Sequence, residues 1–411
     1  MDTPKIYHLF DVYGIELEYM ITDKNSLSVL PVTDAVIHHE AKEYVNDVKV
    51  NGMEWSNELV LHVIELKTDG PVKTLDNLSN LFHKNVLHIN EILKPMHGQL
   101  MPGPMHPWMD PYDEMKLWPY DNGPIYDAYN RIFDCRGHGW ANLQSMHINL
   151  PFANDDEFGR LHAAIRLILP ILPALAAASP IADGKKMPFS DYRLEVYRKN
   201  QSKVPSIAGK VIPEAVFTKS DYENQILQPL YHDISKYDPD GTLQEEWLNS
   251  RGAIARFDRN TIEIRVLDIQ ECPQADIAIA AFIIETLKAL VSEKLCPYKF
   301  QQIFHEDDLS YILLDNIIDA ENAEIHNHDY LRAFGINSKS CTSGDLWKHI
   351  FKQVMNTKEN LQYHPALNTL LEKGTLSARI LDALNHDYSH ESLKKIYGKL
   401  RQCLVNNEML G

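Results

Sequence analysis

Polar and apolar residues alternate with a period of two in four segments of the chain, and this period predicts β-strands. In the first segment, YGIELEYMI, Ile15, Leu17 and Tyr19 would face one way and Glu16 and Glu18 the other. The other three segments read SNELVLHVIELKTDGP, LQSMHINLPF and TIEIRVLD. Each is largely apolar, so the charged residues inside it stand out from their surroundings.

The last two segments predict which side chains share a face of the sheet. In LQSMHINLPF one face carries Ser145, His147 and Asn149. In TIEIRVLD the alternation places four residues on one face, namely Thr261, Glu263, Arg265 and Leu267. Together the four segments predict a sheet with one apolar face and one face rich in ionisable groups.

Helical periodicity fills much of the rest of the chain. Apolar residues recur at helical spacing from Thr74 to Leu93, and Ala275–Val291 predicts a strongly apolar helix. Residues 101–126, rich in Pro, Met and Trp, predict an ordered loop, residues 184–250 predict irregular structure, and the chain from Asp307 onward is mostly helical. Strands that alternate with helices predict an α+β fold in which helices pack on one face of the sheet.

Composition and charge narrow the class of protein. The 411 residues are 44% hydrophobic and 24% charged, as in a globular protein, and the formal charge is −17. That charge argues against nucleic acid or an anionic membrane surface as the main partner. Five scattered cysteines without a CxxC pair predict a reduced intracellular protein. A start unlike a signal peptide and the lack of a long apolar run predict a cytoplasmic one.

The carboxylates on the strands raise the question of what balances their charge. Alternating polar residues are typical of any exposed strand, but Glu is depleted in strands. Clustered carboxylates also repel each other unless a cation lies between them. The residues therefore favour a divalent-cation site, and oxygen ligands with a single imidazole fit Mg²⁺ or Mn²⁺ better than zinc.

Magnesium bound by carboxylates usually completes its shell with nucleotide phosphates. Arginine beside the acids offers a planar fork that matches phosphate oxygens. The sequence contains no GxxxxGK[ST] and no GxGxxG motif, so no glycine-rich loop would cradle the phosphates. The residues alone therefore predict a sheet that binds a metal-bound nucleotide for phosphoryl transfer.

Five motifs occur in an order that resembles the glutamate–cysteine ligases and related carboxylate–amine ligases of the glutamine synthetase-like superfamily. GIELEYM resembles the family's opening G-x-E-x-E strand, and NELVLHVIELKTDGP resembles its second acidic strand. SMHINLPF is similar to its H-x-H or Q-x-N strand, and LPALAAASPIADGK to its helix that ends in A-x-S-P. TIEIRVLD resembles its E-[ILV]-R-x-x-D strand, and the five motifs span residues 13–268.

The resemblance implies an enzyme that uses ATP to phosphorylate a carboxylate, usually the γ-carboxylate of glutamate, and joins it to cysteine or another amine. It implies an antiparallel sheet curved into a funnel and backed by helices, with Mg²⁺, or Mn²⁺ in its place, on the concave face. We predict a catalytic domain over residues 1–300 and a helical C-terminal part over residues 301–411. The predicted partners are small-molecule substrates, and a homodimer is left open.

The resemblance also implies roles for individual residues. The implied metal ligands are the five acids Glu16, Glu18, Glu58, Glu65 and Glu263. Glu58 and Glu65 are an odd number of residues apart, so within one strand they would share a face only through a bulge or a twist. Arg265 matches the arginine that contacts the transferred phosphoryl group.

The remaining candidate residues are less closely tied to the family's motifs. His147 and Asn149 fit either branch of the family, so each could contact metal, nucleotide or substrate, and we place both among the nucleotide-binding residues. Three further arginines precede the last strand. We predict that Arg256 is catalytic and that Arg251 and Arg259 bind the nucleotide, because a site for ATP and an acidic substrate needs positive charge.

The residues alone leave other functions open. A glutamine synthetase or a guanidino kinase would share the metal-bearing sheet, and the pocket decides between ammonia and a bulkier amine. A catalytically silent amino-acid or nucleotide sensor could keep the fold, although it could also lose some of the acids that this chain retains. YRKNQSKVPSIAGKVIPE and RGAIARFDR are not general features of the cysteine-using members, so the amine is not assigned.

Overall fold

The computed structural model of the protein describes residues 5–411. Its strands, in chain order, are β1 Gly14–Asp23, β2 Asp47–Val50, β3 Met53–Asn57, β4 Val63–Thr68, β5 Gly98–Met101, β6 Ser145–Pro151, β7 Ile181–Ala182, β8 Lys185–Lys186, β9 Ala253–Arg256, β10 Thr261–Asp268, β11 Glu324–Ile325 and β12 Cys341–Thr342. Eight of them form one antiparallel sheet in the order β2-β3-β4-β1-β6-β10-β9, and β5 pairs with the end of β1. The pairs β7–β8 and β11–β12 stand apart from this sheet.

Helices make up much of the remaining chain. They are α1 Thr33–Ala41, α2 Leu78–Leu93, α3 Pro111–Glu114, α4 Gly123–Phe133, α5 His138–Ala141, α6 Asp155–Ile168, α7 Pro173–Ala176, α8 Tyr192–Tyr197, α9 Lys219–Tyr222, α10 Gln228–Ile234, α11 Pro273–Val291, α12 Tyr298–Gln301, α13 Glu306–Asp319, α14 His328–Ala333, α15 Ser343–Val354, α16 His364–Lys373, α17 Leu376–Leu384 and α18 His390–Asn406. Side-chain caps mark the first residues of several helices. Asn154, for example, accepts a hydrogen bond from the Glu157 amide at the start of α6.

The apolar face of the sheet packs against three long helices. Ile15, Leu17, Tyr19 and Ile21 of β1 are fully buried in a core that includes the apolar faces of α2, α6 and α11. Helix α11 is apolar on nearly all sides because it contacts both α2 and α6 and, on its outer side, α15 and α16. This arrangement confirms the predicted α+β fold with helices on one face, and it leaves the opposite face of the sheet free for polar groups.

Three expectations about local structure were wrong. The predicted second strand is two strands, β3 and β4, joined by a loop over residues 58–62. Residues 184–250, expected to be irregular, contain helices α8, α9 and α10. Strand β10 has a bulge between Ile264 and Leu267, so Leu267 turns to the core instead of sharing a face with Glu263.

The C-terminal helices belong to the same continuous core as the sheet. Side chains of α13 and α15, such as Leu313 and Trp347, lie in one buried cluster with residues of β1 and α11. A smaller cluster joins α17 and α18 to Met20 and Met101. Among residues 5–411, no helix combines the length and the apolar character needed to cross a membrane.

Candidate active site

Ionisable side chains meet on the face of the sheet opposite the core formed with α2, α6 and α11. In the antiparallel register, Glu16 on β1 lies opposite Lys67 on β4 and opposite His147 on β6. Glu18 on β1 lies opposite Glu65 on β4. Residues directly opposite each other in antiparallel strands point to the same face, so the register itself brings these side chains together.

Strand β10 adds two groups from the other side of β6. Glu263 lies opposite Asn149, which is itself opposite Gly14 on β1. Arg265 lies in the bulge of β10, and its Nε is 3.1 Å from Glu263 Oε1. The regular pairing of β10 with β6 stops at Ile264 and continues at Leu267. The extra residue between them reverses the alternation, so the side chains after the bulge face the opposite way from what the pattern before it predicts.

Glu58 reaches the site from the loop between β3 and β4. Strand parity does not govern a loop residue, so neither the expected bulge nor a twist is needed to bring it beside Glu65. Carboxylate oxygens of Glu18, Glu58 and Glu65 lie within 4.8 Å of one another. This distance is short enough for all three to bind one divalent ion.

A second group of possible metal ligands overlaps with the first. One ligand atom each of Glu16, Glu65 and His147 also lies within 4.8 Å of the others, so Glu65 belongs to both groups. Glu65 and His147 are each only 6% exposed. Oxygen donors with one imidazole suit magnesium or manganese, and the geometry offers two overlapping sets of ligands for such ions.

The pKa values of one pair show how the site shares protons. Burial disfavours the charged form of Glu16, but the hydrogen bond and the charge of His147 outweigh it and lower the pKa of Glu16 to about 2. Burial alone would lower the pKa of His147, yet its hydrogen bond to Glu16 and the charges of Glu18 and Glu263 raise it to about 9. His147 Nδ1 is 2.8 Å from Glu16 Oε2, so these two side chains form an ion pair.

The other carboxylates are not balanced in the same way. Burial and then the nearby charge of Glu18 raise the pKa of Glu58 well above its usual value. Burial and then the charge of Glu16 raise the pKa of Glu65 to about 7, although Ser56 donates a 2.5 Å hydrogen bond to it. The protein's own cations therefore do not neutralise this group, and a divalent cation could do so.

Hydrogen bonds from β6 fix the orientation of the acids on β1. The Ser145 amide donates to Glu18 Oε2 at 2.6 Å, and the Ser145 hydroxyl lies 2.9 Å from His147 Nε2. Asn149 Nδ2 donates to Glu16 Oε1 at 2.9 Å. Such supporting contacts hold possible metal ligands in place before any ion binds.

Two cavities open on either side of the acidic cluster. The smaller, of about 230 Å³, is lined by Glu18, Glu58, Arg265 and the aromatic side chains Tyr129, Trp140 and Trp247. The larger, of about 540 Å³, is lined by Glu16, Lys67, Asn149, Arg259 and the aromatic side chains Tyr7 and Tyr13. A ligand in each cavity would meet the other at the carboxylates between them.

The predicted arginines lie in different surroundings. Arg265 lines the smaller cavity, and the charge of Glu263 outweighs its burial and raises its pKa above the usual value. Arg259 is exposed at the rim of the larger cavity. Arg251 lies outside both linings and is held by Glu214, at 2.6 and 2.7 Å.

Arg256 also lies outside the two cavity linings. It is on the edge strand β9, opposite Thr261, and its guanidinium pairs with Asp258 at 3.1 Å. Glu246 lies 3.9 Å from the same guanidinium. The structure thus gathers eight of the eleven predicted residues around the acids, namely Glu16, Glu18, Glu58, Glu65, His147, Asn149, Glu263 and Arg265, and it holds Arg251 and Arg256 in other ion pairs.

Several residues of the site were not predicted from the sequence. Lys67 shares the strand period of Glu65, and this alternation could have identified it, whereas Ser56 lies on β3 opposite Glu65 and no period along the sequence links the two. Trp140 and Trp247 come from α5 and from the turn Glu246–Leu248, far from any motif, and nothing in the sequence pattern signals them. Arg193 on α8 also reaches the smaller cavity, and its Nε pairs with Asp268 of β10.

Comparison with known proteins agrees with this arrangement. The model of glutamate-cysteine ligase family 2 matches residues 12–398. An uncharacterized protein of Archaeoglobus fulgidus is 32% identical over 397 residues, which cover 96% of this chain and 99% of that protein.

Solved structures share the fold at low sequence identity. A glutamate–cysteine ligase from Francisella tularensis, solved in complex with AMP, has a TM-score of 0.60 and 15% identity, and the alignment covers 97% of this chain and 90% of that one. A bifunctional glutathione synthetase from Pasteurella multocida has a TM-score of 0.60 and 14% identity, with 98% of this chain and 54% of that chain covered. The expected glutamine synthetase-like fold is confirmed. Because the family model spans nearly the whole sequence, the chain belongs to glutamate-cysteine ligase family 2.

Proposed function

We propose that the protein is an ATP-dependent carboxylate–amine ligase. The acid is the γ-carboxylate of glutamate or a similar compound, and the amine is cysteine or another amino compound. One observation carries the proposal: two overlapping groups of carboxylates, which share Glu65, lie between two separate cavities. A ligase of this type must bring a nucleotide and an acid together at bound metal, and such a layout provides a place for each.

The residues present fit divalent metal ions. Glu18, Glu58 and Glu65 would hold one ion, and Glu16, Glu65 and His147 another. Glu263 lies close to the second group, with its Oε1 3.9 Å from His147 Nδ1. When bound, Mg²⁺ would neutralise phosphate charge and align the phosphate oxygens with the acid.

The two cavities suit different substrates. The larger has the volume for a nucleotide, and it carries positive charge from Lys67 and Arg259 together with the rings of Tyr7 and Tyr13. The smaller suits the acid and the amine, because Arg265 and the buried polar residue Gln201 line it beside apolar rings. We therefore assign the nucleotide to the larger cavity and the acid and amine to the smaller one.

The proposed reaction has two steps. An oxygen of the substrate carboxylate attacks the γ-phosphorus of ATP, the bond to the β-phosphate oxygen breaks, and ADP leaves. The amine then attacks the carbonyl carbon of the acyl phosphate, phosphate leaves with the bonding electrons, and the amine loses a proton. Arg265 stabilises the charge that develops on the transferred group, and Glu263 holds its guanidinium in place.

The test is an assay of ADP formation with Mg²⁺, glutamate and a panel of amines, with mass analysis of the product. We expect ADP to form only when acid and amine are both present. Glu263→Gln should lower turnover by about 100-fold without unfolding the protein. The control is Glu293→Gln, because Glu293 is a surface carboxylate paired with Arg160 and lies outside both cavities.

The other outcomes are equally distinct. Turnover with ammonia alone would favour a glutamine synthetase, and phosphorylation of a guanidino compound would favour a kinase. Tight ATP binding without turnover of any substrate would favour a sensor. Full activity of Glu263→Gln would contradict the role that we assign to Glu263, beside the second group of ligands and against Arg265.

A further inference from the structure

Lys67 occupies a position in the site that the motifs do not explain. On the polar face of the sheet it lies in one row with Glu54 on β3 and Glu16 on β1. Its Nζ is 3.2 Å from Glu65 Oε2 and 3.3 Å from Glu54 Oε1. The ammonium group therefore lies among three carboxylates, at the edge of the acidic cluster.

The side chain is also open to the larger cavity. Lys67 is one of the residues that line it, and its side chain is 27% exposed, whereas the Glu65 side chain is 8% exposed. An ammonium group has three protons to donate, and the structure pairs this one with two carboxylates within 3.3 Å. It can therefore also donate to a ligand in the cavity. A compact ammonium charge of this kind commonly binds phosphate oxygens.

Lys67 and Arg265 lie on opposite sides of the carboxylates. Lys67 is on β4 and lines the larger cavity, while Arg265 is on β10 and lines the smaller one, with β1 and β6 between them. A phosphate chain that enters from the larger cavity would meet Lys67 first and Arg265 last. The two cations are therefore placed for different parts of the phosphate chain.

We propose that Lys67 binds the part of the phosphate chain that leaves as ADP. This inference rests on the proposed ligase function, because it assigns the nucleotide to the larger cavity. It gives Lys67 a binding role rather than a role in the transfer step, which falls to Arg265. Removal of the ammonium group should then weaken binding of ATP and ADP alike and change turnover little.

The experiment measures ADP and adenosine binding by calorimetry at saturating Mg²⁺, together with the KM for ATP. For Lys67→Met we expect ADP binding to weaken, and the KM for ATP to rise, by about 10- to 100-fold, because a charged hydrogen bond is lost. Adenosine has no phosphate, so its binding should not change. Lys67→Arg keeps the charge and should restore most of the ADP affinity.

The matched control is Lys49→Met. Lys49 lies opposite Glu54 on the same face of the sheet, but it is 68% exposed and pairs with Asp69 at 2.7 Å, outside the cavity. We expect its ADP affinity to equal that of the wild type. Unchanged ADP binding in Lys67→Met, or an equal loss of adenosine binding, would overturn the inference, and so would failure of Lys67→Arg to bind ADP in a folded state.

Direct measurement of ADP binding tests the role of Lys67 separately from the ligase function. A wild-type protein that binds ADP but joins no acid to an amine would refute the ligase. In that case the ADP affinities of the Lys67 variants would still decide for or against the role of Lys67. Normal ligation with an unchanged KM for ATP in Lys67→Met would refute the role of Lys67 and leave the ligase standing.

Discussion

At the scale of single residues, the site holds more negative charge than its own cations can balance. Five acids point to one region, namely Glu16, Glu18, Glu58, Glu65 and Glu263, and the cations among them are Lys67, His147 and Arg265. The ion pair of Glu16 with His147 uses one of these cations. Glu58 and Glu65 are left with raised pKa values, as expected for buried carboxylates that need a further positive charge.

Metal binding should therefore depend on pH. In the metal-free protein the pKa of Glu65 is raised from 4.5 to about 7, so below that pH the carboxyl group holds a proton that a metal ion must displace. The affinity for Mg²⁺ should rise as the pH increases through about 7, by up to about tenfold per pH unit for each proton displaced. Calorimetry in two buffers with different ionisation enthalpies would count the released protons.

The control for this measurement is a variant without the titrating group. Glu65→Gln should bind Mg²⁺ more weakly and should release fewer protons near neutral pH. Equal proton release by the wild type and by Glu65→Gln would contradict the assignment. A wild-type affinity that falls with rising pH would contradict it as well.

Arg265 supports a second prediction at this scale. Because it is placed to stabilise charge on the transferred group, Arg265→Gln should lower kcat by about 100- to 1,000-fold, with a smaller change in the KM for ATP. Arg265→Lys should recover only part of the rate, since lysine lacks the planar fork. Arg136→Gln is the control, because Arg136 is exposed and pairs only locally with Asp134 at 2.8 Å.

The residues of the site could be predicted from the sequence where they lie in strands. Glu16, Glu18 and Glu263 stand out because acids are uncommon on otherwise apolar strands. Glu58 was predicted as part of the same strand-like segment as Glu65, but it lies in a loop, and the strand period did not predict how it reaches the site. Lys67 was overlooked, although its spacing from Glu65 puts it on the same face.

At the scale of elements, the bulge in β10 determines how the arginine enters the site. The ladder with β6 skips one residue between Ile264 and Leu267, so Glu263 and Asp268 both face the polar side. Gly252, just before β9, supports this region, because its carbonyl accepts the Arg265 amide at 3.0 Å. A Cβ atom on Gly252 would lie 2.7 Å from Val266 Cγ1.

This close approach makes Gly252 sensitive to substitution. Gly252→Ala should destabilise the protein by about 1 to 3 kcal/mol, because the new methyl group overlaps with Val266. It should also lower kcat, since the backbone next to Arg265 must shift. In the double variant with Val266→Ala the loss should be smaller than the sum of the two single losses by about 1 kcal/mol. Urea unfolding and steady-state kinetics would measure both effects.

The matched control is a glycine with open space around it. Gly398 lies inside α18 and nothing comes within 4 Å of an added Cβ, so Gly398→Ala should stabilise the protein by about 0.5 to 1 kcal/mol. Equal effects at Gly252 and Gly398 would show that packing against the bulge is unimportant. Purely additive losses in the double variant would show the same.

Secondary structure was easier to predict than its irregularities. Long periodic segments such as β1 and α11 were predicted close to their observed bounds, because their period reports directly on which side is buried. The bulge was missed, since the alternation in TIEIRVLD continues through Val266 with no glycine or proline to mark an extra residue. The loop at residues 58–62 was missed because apolar residues fill it.

At the scale of the whole molecule, the core links the sheet to the C-terminal helices. Trp347 on α15 is fully buried, donates from Nε1 to the Ile171 carbonyl at 2.8 Å and packs edge-on against Phe282 of α11 at 5.0 Å between ring centroids. Phe282 lies on the helix that also contacts α2 and α6 under the sheet. The expected division of the chain at residue 300 stays a prediction, and Trp347 offers a way to test it.

Trp347→Ala should lower the free energy of unfolding by about 3 to 5 kcal/mol, because it leaves a large cavity and an unpaired carbonyl. If residues 301–411 fold together with the sheet, the entire unfolding curve should shift in one transition, and binding of Mg²⁺ should raise its midpoint in the wild type and the variant alike. If they form a separate domain, calorimetry should show two transitions, with only one displaced by the substitution and only the other by Mg²⁺. The shared core of α11 and α15 leads us to expect the single transition.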